Sequence, residues 1–304
     1  MRRVQRCWMR AGRVLGVWAL MLGPALAQSP APADAEPSPE APRLAVHTGL
    51  AEGALQRRFP DRVRWLEPEG GGQTLALWFP EGRPDARGAL VLMANEGESA
   101  GTDLVLAVAE ALADAGWAVL TLGLEPPTES VRARLERAPT VPGQTPPPAP
   151  GVMIDVLATP ASEGAEADYR ARVQGQLQAA VAWLAGQGYG PLGAVGIGRA
   201  AFYVVAPDLG QASVPFRVWV APAFYPGRES ELAQRLAAPQ GLALLELYPV
   251  VEARSGRERW VTARRAGFSD YQRQPVAMAV PPGPAAAQAL ANRILAWLGR
   301  RSGS

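Results

Sequence analysis

The segment Val195–Ala200 has the residue types and spacing of a strand-to-helix turn that carries a catalytic nucleophile. In the pattern G-x-S-x-G, small residues flank the nucleophilic serine because the turn is too tight for larger side chains. Gly196 and Ala200 keep the two small positions, but Gly198 stands where the nucleophile would be. Glycine supplies no oxygen for attack on an acyl group. Residues Gly196, Gly198, Arg199 and Ala200 therefore predict a degenerate nucleophile elbow without a catalytic residue.

A serine nucleophile of this type also needs a histidine, which takes up its proton and follows the last strand of the sheet. No histidine follows the last predicted strand, Val276–Val280, after which the chain continues Pro-Pro-Gly-Pro. The single histidine, His47, precedes every predicted strand, and this position favours a surface residue near the N-terminus. The sequence therefore argues against a Ser-His-acid mechanism.

One serine remains as an alternative nucleophile. Ser99 lies in the loop that begins at Asn95, after the first central strand, where hydrolases with such an elbow build part of the oxyanion hole. Glu96 and Glu98 flank it, and two carboxylates would repel an oxyanion rather than stabilise it. We therefore interpret the segment as an ordinary polar strand-to-helix loop.

The same turn also fits a different motif. Gly196–Ala201 reads G-x-G-x-x-A between a strand and a helix, which is the pattern of a dinucleotide-binding turn. That pattern requires an acidic residue at the end of the next strand to bind the ribose, and here the next strand ends Val220–Pro222. We therefore predict no nucleotide and no other bound cofactor. Arg199, at the helix start, could meet an anion or be a solvated side chain.

Alternating strand and helix patterns surround the turn and must position it. Continuous apolar runs predict strands that are covered on both faces, at Gln73–Phe79, Gly88–Ala94, Trp117–Leu122, Leu192–Ile197, Phe216–Ala221, Leu242–Leu247 and Val276–Val280. Helical periodicity predicts helices after the N-cap Thr102, along Tyr169–Leu184, at Ala200–Val205, Glu229–Leu236 and Arg257–Arg265, and along Leu290–Leu298. This alternation predicts a three-layer α/β/α sandwich with a mostly parallel sheet, and antiparallel edge strands before the first helix.

The first 27 residues have the order of a secretory signal peptide. A stretch with five arginines and no acidic residue precedes the apolar run Val14–Leu22 and the small-residue cleavage site Ala25–Ala27. The apolar run is far shorter than the ~20 residues of a membrane-spanning helix. We therefore expect export to the periplasm, with no stable membrane span after the signal is cleaved.

Cleavage of this segment changes the charge of the chain. Five of the 30 basic residues lie in it, which leaves 25 basic against 28 acidic residues. A slightly acidic chain without a basic patch is not expected to bind nucleic acid. The one cysteine, Cys7, is also removed. The mature chain therefore has no disulfide and no metal site of usual composition.

Two low-complexity stretches divide the chain. Residues 28–45 are rich in proline, alanine and acidic residues, and residues of about 125–165 include the run Thr145–Pro150. Such stretches bury too little apolar surface to offset the entropy of ordering. We therefore predict a disordered tether at 28–45 and a folded domain at 46–304. A Pro-rich insertion interrupts this domain as a surface excursion, part of which could pack over the sheet.

Three segments carry a resemblance to a known family. Arg64–Phe79, Ala111–Pro126 and the degenerate elbow resemble exported proteobacterial proteins of unknown function with an α/β-hydrolase-like fold, most specifically at Trp65-Leu66 and Gly116-Trp117. The resemblance covers nearly all of residues 50–300. It implies the α/β-hydrolase fold and a periplasmic location, and it implies no characterised activity.

Two functions from different classes follow from these observations. The joint loss of nucleophile and histidine favours a non-catalytic pseudo-hydrolase, which binds an unknown small molecule or an envelope protein in the periplasm. The alternative, which rests on analogy of fold alone, is a weak or unconventional esterase-type hydrolase acting on envelope esters, glycans or lipids.

Overall fold

The computed structural model describes residues 50–137 and 160–302, apart from 207, 208, 211, 227, 229, 230, 233, 234 and 237–240. Within these residues, one sheet is formed by β1 (Val63–Leu66), β2 (Thr74–Phe79), β3 (Gly88–Glu96), β4 (Trp117–Leu124), β5 (Leu192–Ile197), β6 (Phe216–Val220), β7 (Ala243–Pro249) and β8 (Tyr271–Val276). Their order across the sheet is β1-β2-β4-β3-β5-β6-β7-β8. β1 pairs antiparallel with β2 and β2 antiparallel with β4, whereas all further pairs are parallel. The prediction of a mostly parallel sheet with antiparallel edge strands is confirmed.

Helices cover both faces of the sheet, as the two apolar faces of buried strands require. They are α1 (Glu52–Arg58), α2 (Asp103–Asp114), α3 (Glu129–Glu136), α4 (Pro160–Gly186), α5 (Ala201–Val204), α6 (Ala253–Arg265) and α7 (Ala287–Ser302). Leu177 and Val181 of α4 belong to the apolar cluster on one face, and Leu112 of α2 and Trp297 of α7 to the cluster on the other. The predicted three-layer architecture is confirmed. Among the helices that the structure describes, none has an apolar stretch long enough to cross a bilayer.

The sheet order fixes where a site would lie. β3 has β4 on one side and β5 on the other, so the connections that leave β3 and β5 run in opposite directions. In open α/β sheets, ligands bind in the crevice that forms at the carboxyl ends of two such strands. The degenerate elbow follows β5 directly, so it lies at this crevice beside the end of β3.

The last strand and one helix cap differ from their predictions. β8 ends at Val276, where the predicted strand began, because its polar residues Gln272 to Gln274 are tolerated in an edge strand and give no apolar run. The apolar segment after it is a loop, in which Val280 is 53% exposed. Thr102 does precede α2, but its hydroxyl donates to the carbonyl of Ser99 rather than capping the helix.

Several predictions fall on residues that the structure does not describe. These are the signal peptide at 1–27, the tether at 28–45, His47 and residues 138–159 of the Pro-rich insertion. The described ends of the insertion are helical, since α3 and the first turns of α4 lie in it. Val131 and Leu135 of α3 are buried, so this part packs against the folded domain. The predicted helix Glu229–Leu236 is described only in part.

Candidate functional site

The turn after β5 keeps the backbone geometry of a nucleophile elbow. Gly198 has a φ of +56°, in the left-handed region where side chains are strained. A Cβ on Gly196 would lie 2.7 Å from the carbonyl carbon of Ala200, so the small residue is needed at that position. A 3₁₀ turn at Gly198–Ala200 then leads into α5. The predicted degenerate elbow residues therefore come together as the motif implies.

Asn95 fills the space in which a nucleophile would stand. A Cβ at position 198 would lie only 2.1 Å from the side-chain oxygen Oδ1 of Asn95, and 2.6 Å from its Cγ. Atoms of real side chains do not approach so closely, so position 198 accepts only glycine while Asn95 keeps this rotamer. The absence of a side chain at Gly198 therefore makes room for the Asn95 carboxamide.

The same Asn95 oxygen is hydrogen-bonded to a backbone N–H that would otherwise help to stabilise the oxyanion in acyl transfer. Its Oδ1 accepts a hydrogen bond of 3.0 Å from the backbone N–H of Arg199. In α/β-hydrolases the N–H of the residue after the nucleophile is one of the donors of the oxyanion hole. A donor that already bonds an internal oxygen is not available to a developing negative charge. The arrangement therefore lacks the nucleophile, and this oxyanion donor is engaged by Asn95.

The end of β3 holds Asn95 in this place. The pairing of β3 with β4 shifts register between Met93 and Glu96, and such a bulge re-aims the side chains at the strand end. The following turn is closed by two backbone bonds, from Gly97 N–H to the carbonyl of Leu124 (2.8 Å) and from Glu98 N–H to that of Asn95 (2.9 Å). Asn95 is therefore positioned by a bulge and a hydrogen-bonded turn.

The side chain of Arg199 is partly buried and stacks on an aromatic ring. Its guanidinium carbon lies 3.6 Å from the ring centroid of Tyr225, a close cation–π contact. The Tyr225 hydroxyl lies 2.7 and 2.9 Å from the carboxylate oxygens of Glu96, to which it donates. Burial, and next the Glu96 carboxylate, raise the pKa of Tyr225, which keeps the phenol protonated. In the part of the chain described, Nη1 of Arg199 is buried without a hydrogen-bond partner.

Ion pairs close the region next to the elbow. Glu166 accepts from Arg170 at 2.6 Å, from Arg228 at 2.7 Å and from Arg134 at 3.1 Å. Glu231 pairs with Arg170 at 2.6 Å, and with Arg228 and Arg235, each at 3.2 Å. Burial works to raise the pKa of Glu231, but the arginine charges outweigh it and hold this pKa below its usual range. These contacts join α3, α4 and the segment 228–235.

Little open volume remains between these ion pairs and the elbow. A cavity of about 10 Å³ is lined by side chains that include Arg170, Arg199, Tyr225 and Arg228. This volume is close to the minimum that holds one water molecule. A larger cavity of about 650 Å³ lies away from the elbow, where Glu67 and Glu69 face α4. Between these described side chains, the space beside the elbow is therefore about the size of one water molecule.

Ser99 takes part in a turn. Its Oγ accepts a hydrogen bond of 3.3 Å from the N–H of Gly101, and its carbonyl accepts from the Thr102 hydroxyl at 2.8 Å. Burial raises the pKa of the neighbouring Glu98 carboxyl. No histidine belongs to the described residues, so no imidazole among them contacts this hydroxyl. The role of Ser99 as an alternative nucleophile stays a prediction.

Sequence reasoning missed a buried charged group next to α6. Glu246 is fully buried on β7, and its carboxylate lies 2.5 Å from Arg259 Nη2 and 2.5 Å from the Tyr271 hydroxyl. Nε of Arg273 lies 3.4 Å away. The signal for it is a single acid within the apolar run of β7. Because it lies within the strand and is fully engaged, Glu246 holds β7, β8 and α6 together rather than reaching the site.

No metal site is formed by the described residues: they contain no group of three or more acidic, histidine or cysteine side chains that could hold an ion.

Comparison with solved structures places this geometry in a fold family. The chain is similar to the esterase domain of a Rhodothermus marinus protein, with 14% identity, a TM-score of 0.52, and 78% of this chain and 97% of that one covered. It is also similar to a dienelactone hydrolase from Anabaena variabilis (15% identity, TM-score 0.50, 79% and 98% covered). An esterase from Pyrococcus furiosus gives 10% identity and a TM-score of 0.50, with 82% and 91% covered. The fold is therefore that of the α/β-hydrolases.

Sequence comparison assigns the family. No curated protein matches the chain. The model of the family described as "Protein of unknown function (DUF3530)" matches residues 14–298, which is nearly the whole chain. The chain therefore belongs to this family of unknown function, within the α/β-hydrolase-like fold.

Proposed function

We propose that this chain is an exported, non-catalytic α/β-hydrolase-like protein that binds a small molecule or an envelope protein in the periplasm. The observation that carries the proposal is the position of Asn95. Its carboxamide oxygen fills the space of a side chain at Gly198 and accepts the hydrogen bond of the Arg199 amide.

Acyl transfer requires a nucleophile, a histidine and oxyanion donors, and all three requirements are compromised in this chain. Loss of a nucleophile or of its histidine costs several orders of magnitude in rate, and loss of one oxyanion donor costs about 10²–10³ in kcat. The elbow has no nucleophile, no histidine lies among the described residues, and the amide donor is engaged. Similarity to solved esterases concerns the fold, which hosts many functions.

The test is a search for catalysis in the purified mature protein. The protein is incubated with a serine-directed fluorophosphonate probe and with p-nitrophenyl esters of increasing acyl length. We expect no labelling and no turnover above that of the buffer. Ser99→Ala provides the decisive comparison. Labelling or turnover that this substitution abolishes would overturn the proposal in favour of an unconventional esterase.

Export is tested separately, by cell fractionation and the intact mass of the recovered protein. We expect a periplasmic product that begins at Gln28, after the cleavage site Ala25–Ala27. Replacement of Ala25 and Ala27 by arginine should leave the precursor uncleaved, because signal cleavage requires small residues at these positions. Recovery of the uncleaved wild-type chain from the cytoplasm would contradict this part of the proposal.

A further inference from the structure

Two adjacent valines project from the turn that follows β7. Val250 is 61% exposed and Val251 is 83% exposed. They belong to the 3₁₀ turn Val250–Glu252, which continues directly into α6. Single exposed apolar residues are ordinary on protein surfaces, but two side by side in one turn form an apolar projection.

The projection continues as a stripe along α6. Ala253, Arg257, Trp260 and Arg264 are spaced by four, three and four residues, so they share one face of the helix, and all four are exposed. The guanidinium carbon of Arg264 lies 5.9 Å from the ring centroid of Trp260. The Val-Arg-Trp surface, as we name it, consists of Val250, Val251, Arg257, Trp260 and Arg264.

Two acidic residues lie near this surface, and Glu252 belongs to the same turn as the valines. Glu258 lies on the side of α6 away from the stripe and pairs with Arg254 at 3.1 Å. Within the described residues, Arg257 forms no ion pair, and Arg264 donates only to the carbonyl of Ser269. The surface therefore combines two arginines, an aromatic ring and an apolar tip, with one carboxylate, Glu252, beside the tip.

A different side of α6, which adjoins the stripe at Trp260, packs against the sheet. Gly256, Arg259 and Ala263 are its buried residues, and Arg259 pairs with the buried Glu246 of β7 at 2.5 Å. Arg257 and Arg264 lie outside this buried side, whereas Trp260 borders it and is 37% exposed. Val280, 53% exposed in the loop after the neighbouring strand β8, adds a further apolar residue near the same sheet edge.

We propose that the Val-Arg-Trp surface docks on an anionic lipid bilayer. Exposed valines can enter the headgroup and acyl boundary, tryptophan favours this interface, and arginines beside it are attracted by anionic headgroups. This inference goes beyond the proposed function and does not depend on it.

The experiment is co-sedimentation of the purified mature protein with vesicles. Vesicles of phosphatidylethanolamine and phosphatidylglycerol are compared with vesicles of phosphatidylcholine alone, in low and in high salt. We expect binding to the anionic vesicles only, weakened by salt because the arginine contribution is screened. Arg257→Glu should reduce the partition coefficient at least fivefold, since each arginine near an anionic surface contributes about a factor of five. Val251→Glu should reduce it by a similar factor.

The controls use exposed residues far from this surface. Trp65, 41% exposed on β1 at the other edge of the sheet, is replaced by glutamate, and so is Arg57 on α1. Neither change should affect binding. Val251→Ser serves as a second variant if Val251→Glu lowers stability. Absence of binding to anionic vesicles, equal binding to both kinds, or equal losses in the controls would each overturn the proposal.

Discussion

At the end of β3, the carboxamide of Asn95 lies against two parts of the elbow on which acyl transfer depends: the side-chain position at residue 198 and the backbone amide of Arg199. Its oxygen lies where a side chain at position 198 would begin, and it accepts from the amide of Arg199. Gly198 and Asn95 are therefore coupled, because the Asn95 side chain can take this position only while residue 198 has no side chain. Reintroducing a side chain at 198 would have to displace Asn95 first.

This coupling predicts the effect of Gly198→Ala on stability. The alanine would be strained at a φ of +56°, at about 1–2 kcal/mol. Its Cβ would also collide with Asn95 Oδ1 at 2.1 Å, and overpacking of this kind costs a further ~1–3 kcal/mol. We expect the free energy of unfolding to fall by the sum of both effects, measured by urea denaturation.

A matched control separates the two contributions. Gly72 has a φ of +81° and nothing within 4 Å of its Cβ position, so Gly72→Ala measures the backbone strain alone. Asn95→Ala in the Gly198→Ala background should recover most of the collision energy, because it removes the oxygen and leaves a Cβ 3.3 Å away. Equal losses for the two glycine variants, or no recovery in the double variant, would show that Asn95 does not fill this space.

At the scale of elements, the edge strand β8 of the parallel part of the sheet is attached by a buried ion-pair cluster around Glu246. β8 is an edge strand, with polar residues along it. Glu246 of β7 joins it through the Tyr271 hydroxyl and Arg273, and holds α6 through Arg259. The inner strands are held in the sheet by burial of their apolar side chains. Because β8 has few apolar side chains, the polar contacts of Glu246 hold it instead.

Glu246→Ala should be among the most destabilising substitutions at this edge. It would leave Arg259 buried without its carboxylate partner, and breaking a buried pair in this way costs about 3–5 kcal/mol. Urea denaturation measures the loss. Glu258→Ala on the same helix is the control, because its pair with Arg254 is exposed and worth at most ~1 kcal/mol. Similar losses for both would mean that Glu246 does not hold the edge.

At the scale of the whole molecule, buried tyrosines connect the elements around the elbow and the sheet edge. Tyr169 of α4 contacts Tyr203 of α5 edge to face, and its hydroxyl donates to the carbonyl of Glu125 at 2.9 Å. Burial raises the pKa of Tyr203 to about 12, and it also raises the pKa values of Tyr169 and Tyr271. These phenols therefore stay protonated in the folded state at pH values where they ionise in the unfolded chain.

The sign of the resulting pH dependence follows from proton linkage. Above the ordinary tyrosine pKa of 10, the unfolded chain binds fewer protons than the folded one, so stability falls as the pH rises. For Tyr203 the loss spans pH 10 to about 12. Each such tyrosine contributes a slope of up to about 1.4 kcal/mol per pH unit.

We expect the urea midpoint to decline steeply over this range. Tyr203→Phe removes one of the linked groups, so its midpoint should decline less steeply than that of the wild type. A wild-type midpoint that stays constant above pH 10 would refute the linkage.

Much of the architecture could be predicted because strand burial and helix periodicity are local properties of the chain. The bounds of β5 agree with the prediction, and those of β2, β3, β4 and β6 differ only at their ends. β8 was predicted too late in the chain, because an edge strand with polar residues lacks the apolar run by which buried strands are recognised. The degenerate elbow was recognised because its small residues are adjacent in the chain.

What the sequence by itself determined is the missing chemistry: no fold can supply a nucleophile at Gly198, or a histidine after the last strand, from residues that are not there. What only the tertiary structure decided is which side chain fills the space beside Gly198, namely that of Asn95. Asn95 and Arg199 are 104 residues apart, and they meet because β3 and β5 are neighbours in the sheet. Glu246 meets Tyr271 across strands in the same way. Such contacts depend on strand order and register, which local periodicity does not encode.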